Sequence, residues 1–316
     1  MNNTQAQLLP VPSVRHRIET FLALIAPLHP LLKAKGPQRH AALKRLQRLC
    51  EREVDLLRSE HTLATVKLYL SSYRSALRSI DPEHPALRPR KHRSSQRFSY
   101  LALTPEETRA INAAYQTEIR KDQSDLIPLD PKEFIATAKE LLASERFISL
   151  GMGLMAVTGR RPAEIFFSAS FAPAPNKLPF PAVIFGGQLK TRFAPGTSFE
   201  PYPVPVLAAP KTILEAFERL RAIRTYPSQQ RAHIATKDAL NNEVKLAFGQ
   251  GNLRWKPGHL RSAYGAICCH LFKPRNMTDD IFLAQILGHK LLPGAAALSV
   301  GQSYKDFYVK ESPIKP

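Results

Sequence analysis

The sequence is poor in cysteine and in acidic residues, and it has no apolar run long enough to cross a membrane. Its three cysteines, Cys50, Cys268 and Cys269, form neither a CxxC pair nor a metal-ligand spacing, which is typical of a reducing compartment. No stretch of about 20 apolar residues occurs, and no basic segment precedes an apolar one at the N-terminus. A glycine-rich phosphate-binding loop and a carboxylate cluster are also missing. We therefore expect a cytoplasmic protein with no signal peptide, no membrane attachment, no cofactor and no metal.

Positive charge is what the sequence has in excess. It holds 45 lysines and arginines against 26 aspartates and glutamates, a formal net charge of +19. Basic residues outnumber acidic ones in both halves, which excludes a neutral domain with one basic tail. A surplus of this size favours a polyanion, because phosphates bound by lysine and arginine release their counterions. Double-stranded DNA is the partner that the charge predicts.

Apolar residues at helical spacing dominate the chain and predict a mainly α (α+β) fold. Helices are expected over residues 13–62, and Thr62 is placed to begin another. Residues 81–97 are rich in proline, serine and basic residues and predict a linker, and residues 122–129 predict a second hinge. We therefore expect a helical DNA-binding domain with a basic linker over residues 1–127, followed by a second domain over 128–316.

Basic residues of the first domain lie where they can follow a phosphate backbone. In the helix after Thr62 an apolar stripe faces the core, and the basic residues lie off that stripe. A solvated helix face is the plain alternative, but the charge of the chain favours contact with DNA. The predicted DNA-binding residues are Lys67, Arg74 and Arg78 in this helix and Arg90, Lys91 and Arg93 in the linker.

The most informative stretch of the second domain is a break between two predicted helices. An apolar run of helical length ends at Gly159, a residue typical of helix ends. Arg160 and Arg161 follow, and Pro162 begins a new helix with Glu164 in its first turn. A guanidinium held at such a break stays charged and can bind two oxygens of one phosphate. A surface turn with incidental arginines is the alternative.

A small antiparallel sheet is predicted after this break. Residues 182–185 form a strand, a glycine turn follows, and residues 189–193 are expected to begin the partner strand, with Lys190 beside the turn. Residues 172–181 contain four prolines and predict a loop. The last element is expected to be a short helix over residues 303–309.

Five motifs, in this order, resemble those of the tyrosine recombinase family over residues 128–316. They are Thr158-Gly159-x-Arg161-x-x-Glu164, the turn lysine Lys190, Leu260-Arg261, Leu287-Gly288-His289 and the late tyrosine Tyr304. Residues 101–107, 158–165 and 185–192 are similar to the telomere resolvases in particular. Enzymes of that family cut a palindromic telomere junction in both strands and reseal each end as a hairpin.

The resemblance implies transesterification at a DNA phosphodiester through a 3′-phosphotyrosine intermediate, without a metal ion. Tyr304 is then the nucleophile, and Arg161 and Arg261 bind the non-bridging oxygens of the transition state. Lys190 protonates the departing 5′ oxygen. His289 donates a hydrogen bond to the phosphate or accepts the phenol proton.

Two positions depart from the recombinase pattern. The histidine usually found three residues before the second arginine is replaced by Gly258. Lys256 and His259 are therefore candidate catalytic or DNA-binding residues. The gap from His289 to the tyrosine is longer than the family spacing, so Tyr308 stays open as an alternative nucleophile.

Double-stranded DNA with an inverted repeat is the expected substrate. A homodimer is expected on it because both strands must be cut. Arg160 and Arg192, which flank the catalytic candidates, are expected to bind DNA. A conventional site-specific recombinase or integrase carries the same residues and is one alternative. A DNA-binding protein with a decayed active site is the other.

Overall fold

A computed structural model describes residues 12–87, 90–91, 97–98, 100–189, 200–249, 255–288 and 306–310 of the chain. The described residues up to Arg120 form one compact unit, and those from Lys121 form a second. Helices dominate both units, as the sequence predicts. No helix among the described residues is long and apolar enough to cross a membrane.

The first unit contains the helices α1 to α4 and the part of α5 up to Arg120. Gly36 adopts a positive φ of 74° at the start of α3, and the hydroxyl of Thr62 caps α4 by accepting from the Thr65 N–H. Thr104 and Glu107 form a reciprocal capping box at the start of α5. The helices are α1 (Pro12–Ile25), α2 (His29–Lys33), α3 (Pro37–Glu60), α4 (Leu63–Ile80) and α5 (Pro105–Ser124).

Buried polar side chains join three of these helices. Glu53 of α3 accepts hydrogen bonds from Arg17 Nε of α1 at 2.7 Å and from the Tyr73 hydroxyl of α4 at 2.6 Å. The Phe21 ring packs edge-on against Tyr73, with ring centroids 5.2 Å apart. The network specifies how the three helices meet, because a buried carboxylate is stable only with its partners in place.

The segment predicted as a linker is partly ordered. Residues Pro85–Leu87 form a 3₁₀ turn in which Ala86 is buried, and His84 is only 1% exposed. Strand β1 (Arg90–Lys91) pairs antiparallel with β2 (Arg97–Phe98). The predicted linker therefore contains local structure, and its role in joining the two domains stays a prediction from the sequence.

The second unit is organised around a helix that is buried on all sides. In α7 (Phe147–Thr158) every residue from Ser149 to Thr158 is buried, as expected for a helix that is apolar all round. Four helices pack against it. They are α6 (Pro131–Ala143), α8 (Pro210–Ile223), α9 (Gln229–Ala247) and α10 (Pro257–Phe272), and α11 (Asp279–Ile286) packs in turn on α10.

The predicted antiparallel sheet exists, but its strand order differs from the expectation. Strand β5 (Ala182–Gly186) lies between β4 (Ser170–Pro173) and β6 (Tyr202–Pro205), antiparallel to both. Strand β4 overlaps the predicted loop, because an edge strand tolerates proline. Leu189 is not in a strand, and residues 190–193 lie outside the described residues.

A second correction concerns the end of the chain. Strand β7 (Phe307–Val309) pairs in parallel with β3 (Ile127–Leu129), where a final helix and a hinge were predicted. Phe307 is buried against Trp255, with ring centroids 4.9 Å apart. The bulky run Phe-Tyr-Val favours a strand once a partner backbone is available, and that partner is 180 residues away in the register Ile127↔Phe307.

Candidate active site

The predicted break after α7 is a left-handed turn packed against α10. Gly159 has φ of 65°, and a Cβ placed on it would lie 2.2 Å from Cδ1 of the Tyr264 ring. The Thr158 hydroxyl closes the last turn of α7 by donating to the Leu154 carbonyl at 2.6 Å. Only glycine meets both the positive φ and the close approach. The chain is thereby turned sharply just before Arg160.

Arg161 is held by Glu164 through two hydrogen bonds. The Glu164 carboxylate accepts from the Arg161 backbone N–H and from its Nη1, both at 2.9 Å. Glu164 begins a π-helical turn, Glu164–Ser168, a feature often found at functional sites. The Glu164 side chain is fully buried, while that of Arg161 is 18% exposed. The pair therefore aims one guanidinium from a rigid base toward the surface.

Arg261 of α10 meets the same turn from the other side. Its side chain is 4% exposed, and it donates to the carbonyls of Gly159 and Leu287, the latter at 2.7 Å. Arg161 and Arg261 are 100 residues apart in the sequence, so the fold brings the two predicted clamp arginines to one place. That convergence is what a phosphate clamp requires.

Three guanidinium groups act on one carboxylate here. Burial alone would raise the pKa of Glu164, but Arg261, Arg161 and Arg160 together hold that pKa below its usual value. Glu164 is therefore ionised at neutral pH, and one negative charge faces three positive ones. An excess of positive charge at one turn is what the binding of a phosphate group requires.

Arg160 is held inside the protein. It is 1% exposed, and its guanidinium donates to the Thr158 carbonyl at 3.0 Å, the Tyr202 hydroxyl at 2.8 Å and the Ile286 carbonyl at 2.7 Å. It also lies over the Phe185 ring, 4.7 Å from the centroid. These contacts give Arg160 a structural role, and its predicted contact with DNA stays a prediction from the sequence.

Two polar residues that the sequence did not single out lie next to this cluster. The Tyr202 hydroxyl accepts from Arg160 and donates to Gln188 Oε1 at 2.8 Å, and Gln188 Nε2 donates to the Gly288 carbonyl at 2.6 Å. Gln188 lies within residues 185–192, the segment similar to the telomere resolvases, but that similarity gave it no role of its own. Tyr202 belongs to no recognisable motif.

Several predicted site residues lie outside the described residues: Lys190, Arg192, His289, Tyr304 and Arg93. Residues that precede Lys190 and His289 in the chain do lie close together, because Gln188 donates a hydrogen bond to the Gly288 carbonyl. For Arg90 and Lys91 the structure describes the strand backbone and not the side chains. Their assignments stay predictions from the sequence.

The residues proposed to replace the missing histidine take different places. Lys256 is exposed at the start of α10. His259 packs its ring edge-on against Phe307 and Trp255, with centroids 5.8 and 6.2 Å away. At Gly258 a Cβ would meet nothing within 4 Å. Among the described residues the space beside Gly258 is therefore open, and both assignments stay predictions from the sequence.

Exposed basic residues lie on two helices of the first unit, and those on α3 were not predicted from the sequence. Lys67 and Arg78 are exposed on α4, whereas Arg74 is half-buried and donates to the Leu101 carbonyl. On α3 a further group shares one helix face, because positions separated by three, four or seven residues lie above one another. These exposed residues, here called the α3 basic stripe, are Lys44, Arg45, Arg48 and Arg52.

Comparison with known proteins identifies related sequences. The profile of the telomere resolvase ResT/TelK catalytic domain matches residues 125–307. The protelomerase of Escherichia phage N15 is 24% identical in an alignment of 221 residues, and the match covers 60% of this chain and 34% of that protein. The chain thus spans about a third of the length of this curated relative.

Solved structures with the same fold include protelomerases bound to DNA. A TelA variant covalently complexed with substrate DNA has a TM-score of 0.76 at 24% identity, over 98% of this chain and 91% of that chain. A TelA mutant complexed with a DNA hairpin product has a TM-score of 0.75 at 25% identity, over 95% and 89%. TelK complexed with substrate DNA has a TM-score of 0.57 at 17% identity, over 94% of this chain and 65% of that chain. Because the matched domain covers more than half of its residues, the chain belongs to the telomere resolvase ResT/TelK family.

Proposed function

We propose that this protein cuts an inverted-repeat telomere junction in both strands and reseals each end as a covalently closed hairpin. The observation that carries the proposal is the buried cluster in which Arg161 and Arg261 converge on Glu164 with an excess of positive charge. Membership of the telomere resolvase family supports it, as does a fold shared with TelA bound to a hairpin product.

The chemistry follows from the proposed roles. The Tyr304 phenol oxygen forms a bond to phosphorus and passes its proton to His289 or to water, while the bond from phosphorus to the 5′ oxygen breaks. Lys190 donates the proton that the leaving oxygen takes up. Arg161 and Arg261 stabilise the extra negative charge on the non-bridging oxygens, and His289 adds a hydrogen bond. The freed 5′ hydroxyl then attacks the phosphotyrosine of the opposite strand and releases the tyrosine.

The position of Tyr308 favours Tyr304 as the nucleophile. Tyr308 is 48% exposed in β7 and lines the same cleft as Ala266 and His270 of α10. At about 1.5 Å per residue these two positions are roughly 7 to 14 Å further along the helix than Arg261. A nucleophile must reach the phosphate that Arg261 is proposed to bind, so Tyr308 is badly placed for attack.

DNA contacts outside the cluster come from both units in this proposal. The α3 basic stripe, Lys67 and Arg78 are exposed and fit phosphate contacts. Arg192 and the basic residues of the 81–97 segment add to them. Because two strands must be cut, two protomers act on one inverted repeat. We propose that the protein works in the cytoplasm, where its DNA lies.

The product of a single inverted-repeat duplex tests the proposal. We expect closed hairpins without metal ion or nucleotide, seen on a denaturing gel as strands that snap back and resist exonuclease. The yield should not depend on a second DNA site. Four-way junctions or exchanged flanks, with no hairpin from any inverted repeat, would instead indicate a conventional recombinase. No cleavage of any repeat would indicate a DNA-binding protein without catalysis.

Single substitutions assign the roles within that reaction. Tyr304→Phe should abolish the covalent protein–DNA adduct on a nicked substrate, whereas Tyr308→Phe should retain it. Arg161→Ala should lower the cleavage rate by about 10²–10³ with DNA affinity little changed, as for removal of a donor to a developing oxyanion. Arg78→Ala is the matched control, and we expect it to weaken binding and spare the rate at saturating DNA. Adduct formation by Tyr304→Phe would refute the assignment of the nucleophile.

A further inference from the structure

The C-terminal end of α11 is held by three side chains from three different elements. The Ile286 carbonyl accepts from Arg160 at 2.7 Å, the Leu287 carbonyl from Arg261 at 2.7 Å, and the Gly288 carbonyl from Gln188 at 2.6 Å. The last carbonyls of a helix have no partner within the helix and carry its negative end. Here each is bound individually, and two of the donors are cationic.

These hydrogen bonds join into one directed chain. Arg160 donates to the Tyr202 hydroxyl, Tyr202 donates to Gln188, and Gln188 donates to the Gly288 carbonyl. The Tyr202 hydroxyl and the Gln188 amide each accept one hydrogen bond and donate the next. Hydrogen bonds linked in this way strengthen one another. The chain starts in the turn that holds Arg161 and ends one residue before His289. Its third member, Gln188, lies two residues before Lys190.

The packing at Gly288 shows how closely these groups approach. Gly288 has φ of 67°, and a Cβ on it would lie 2.0 Å from the Tyr202 hydroxyl and 2.3 Å from Gln188 Oε1. Side chain and backbone are thus in direct contact, and a larger residue would force the chain of hydrogen bonds apart. The junction is defined by Arg160, Tyr202, Gln188 and Gly288.

We propose that Gln188 and Tyr202 are positioning residues for strand cleavage: they fix the segment that leads into Lys190 against the end of α11 that leads into His289. The proposal rests on the proposed function and goes beyond it, because it assigns a catalytic consequence to two residues outside the recombinase motifs. Neither touches the reacting atoms. Their effect is on where the leaving-group acid stands.

The energetic scale of such an effect is set by placement. A displacement of about 1 Å of a catalytic group can lower a rate by about 10²-fold. Losing one hydrogen bond between part-buried groups leaves the fold intact, since a typical bond contributes only about 1 kcal/mol to stability. We therefore expect a change in rate that is large compared with the change in stability.

Two variants remove the side chains of the junction one at a time. Gln188→Leu deletes both bonds of the amide with little change in volume, and Tyr202→Phe deletes only the hydroxyl. Each should lower the cleavage rate about 10- to 100-fold, with DNA affinity within about twofold of the parent. The double variant should be no slower than the slower single one, because both break the same chain. Tyr226→Phe is the control, since its hydroxyl has no hydrogen-bond partner among the described residues.

A sulfur leaving group separates positioning from a merely structural role. In a substrate with sulfur replacing the bridging 5′ oxygen, the phosphorus–sulfur bond breaks and the thiolate departs without needing a proton, since a thiol has a pKa near 8.5. The Gln188→Leu protein should then cleave within about fivefold of the parent on that substrate. Arg161→Ala should stay slow, because its clamp acts on the non-bridging oxygens.

Each outcome decides one question. If Gln188→Leu cleaves the ordinary substrate as fast as the parent, or if sulfur leaves its defect unchanged, the positioning role is refuted while the enzyme itself is not. If the parent protein cleaves no inverted repeat with either leaving group, the proposed function fails and the inference fails with it. The inference is supported if Gln188→Leu cleaves the ordinary substrate slowly and the sulfur substrate at nearly the parent rate, while Tyr226→Phe cleaves both substrates at the parent rate.

Discussion

Replacing Glu164 by glutamine isolates the charge on which the arginine cluster depends. The carboxylate accepts two hydrogen bonds from Arg161 and lies in the field of Arg160 and Arg261. Glutamine keeps the shape and one acceptor oxygen, but it places an NH₂ group opposite a donor of Arg161. The variant therefore loses one hydrogen bond and the counter-charge of two nearly buried arginines.

The magnitude follows from this geometry. A hydrogen bond to a charged group contributes about 1.5–3 kcal/mol. Breaking a buried ion pair by removing one partner costs about 3–5 kcal/mol, because the remaining charge is left uncompensated. We expect Glu164→Gln to lower the free energy of unfolding by about 3–5 kcal/mol at pH 7, and to slow cleavage because Arg161 loses its support.

Urea unfolding followed by tryptophan fluorescence measures this in the full chain. The protein has one tryptophan, Trp255, which is 5% exposed in the same core as Glu164. Its emission therefore reports on the second unit. Glu215→Gln is the control, because Glu215 forms only an exposed pair with Lys211 at 3.9 Å. Such a pair contributes at most about 1 kcal/mol.

The pH dependence supplies the sign test. The folded pKa of Glu164 lies below its usual value of 4.5, so its stabilising effect is complete above that value. The effect is lost as the pH falls through the folded pKa, because the unfolded chain binds the proton first. The difference between parent and variant should be full at pH 7 and shrink below about pH 4.5. A difference under about 1 kcal/mol at pH 7, or one that is unchanged at pH 3, would refute the reasoning.

Three further predictions test other parts of the structure. Gly159→Ala should cost about 2–5 kcal/mol, from the positive φ and the clash with Tyr264, while Gly258→Ala should be nearly neutral; equal effects would contradict the packing. Burial, and to a lesser extent the neighbouring His29, lower the pKa of His84, so the first unit should lose stability as the pH falls below about 6.5. The loss should be at most about 1.4 kcal/mol per pH unit. His84→Asn should remove this pH dependence, which hydrogen exchange of the α4 amides measures. Arg48→Ala should reduce the slope of log affinity against log salt by about 0.9, and an unchanged slope would remove this residue of the α3 basic stripe from the DNA surface.

Local signals in the sequence predicted much of the helical framework. Thr62 caps α4 through a side-chain hydrogen bond, and Gly159 ends α7 with a positive φ, both as predicted. Such signals act over a few residues, so the sequence alone carries them. The strand at Phe307–Val309 escaped prediction because its partner, Ile127–Leu129, is remote in the chain.

The candidate site was predictable in part. The motif around Arg161 and Glu164 was found because its residues are neighbours on one turn, and Arg261 because its own motif follows in order. Gln188 and Tyr202 escaped because no local pattern marks them. Their significance arises from bonds that join residues 14 and 100 positions apart.

The sequence by itself determined the basic charge, the helix ends and the chemical types available to bind a phosphate. Tertiary structure alone decided which of two adjacent arginines is exposed. Arg160 and Arg161 are identical in type and share one turn, yet one is 1% exposed and the other reaches the surface. The physical reason is where the hydrogen-bond acceptors lie. Arg160 donates to Tyr202 and Ile286, which are 42 and 126 residues away in the chain and lie inside the protein. Arg161 donates to Glu164 and stays partly exposed.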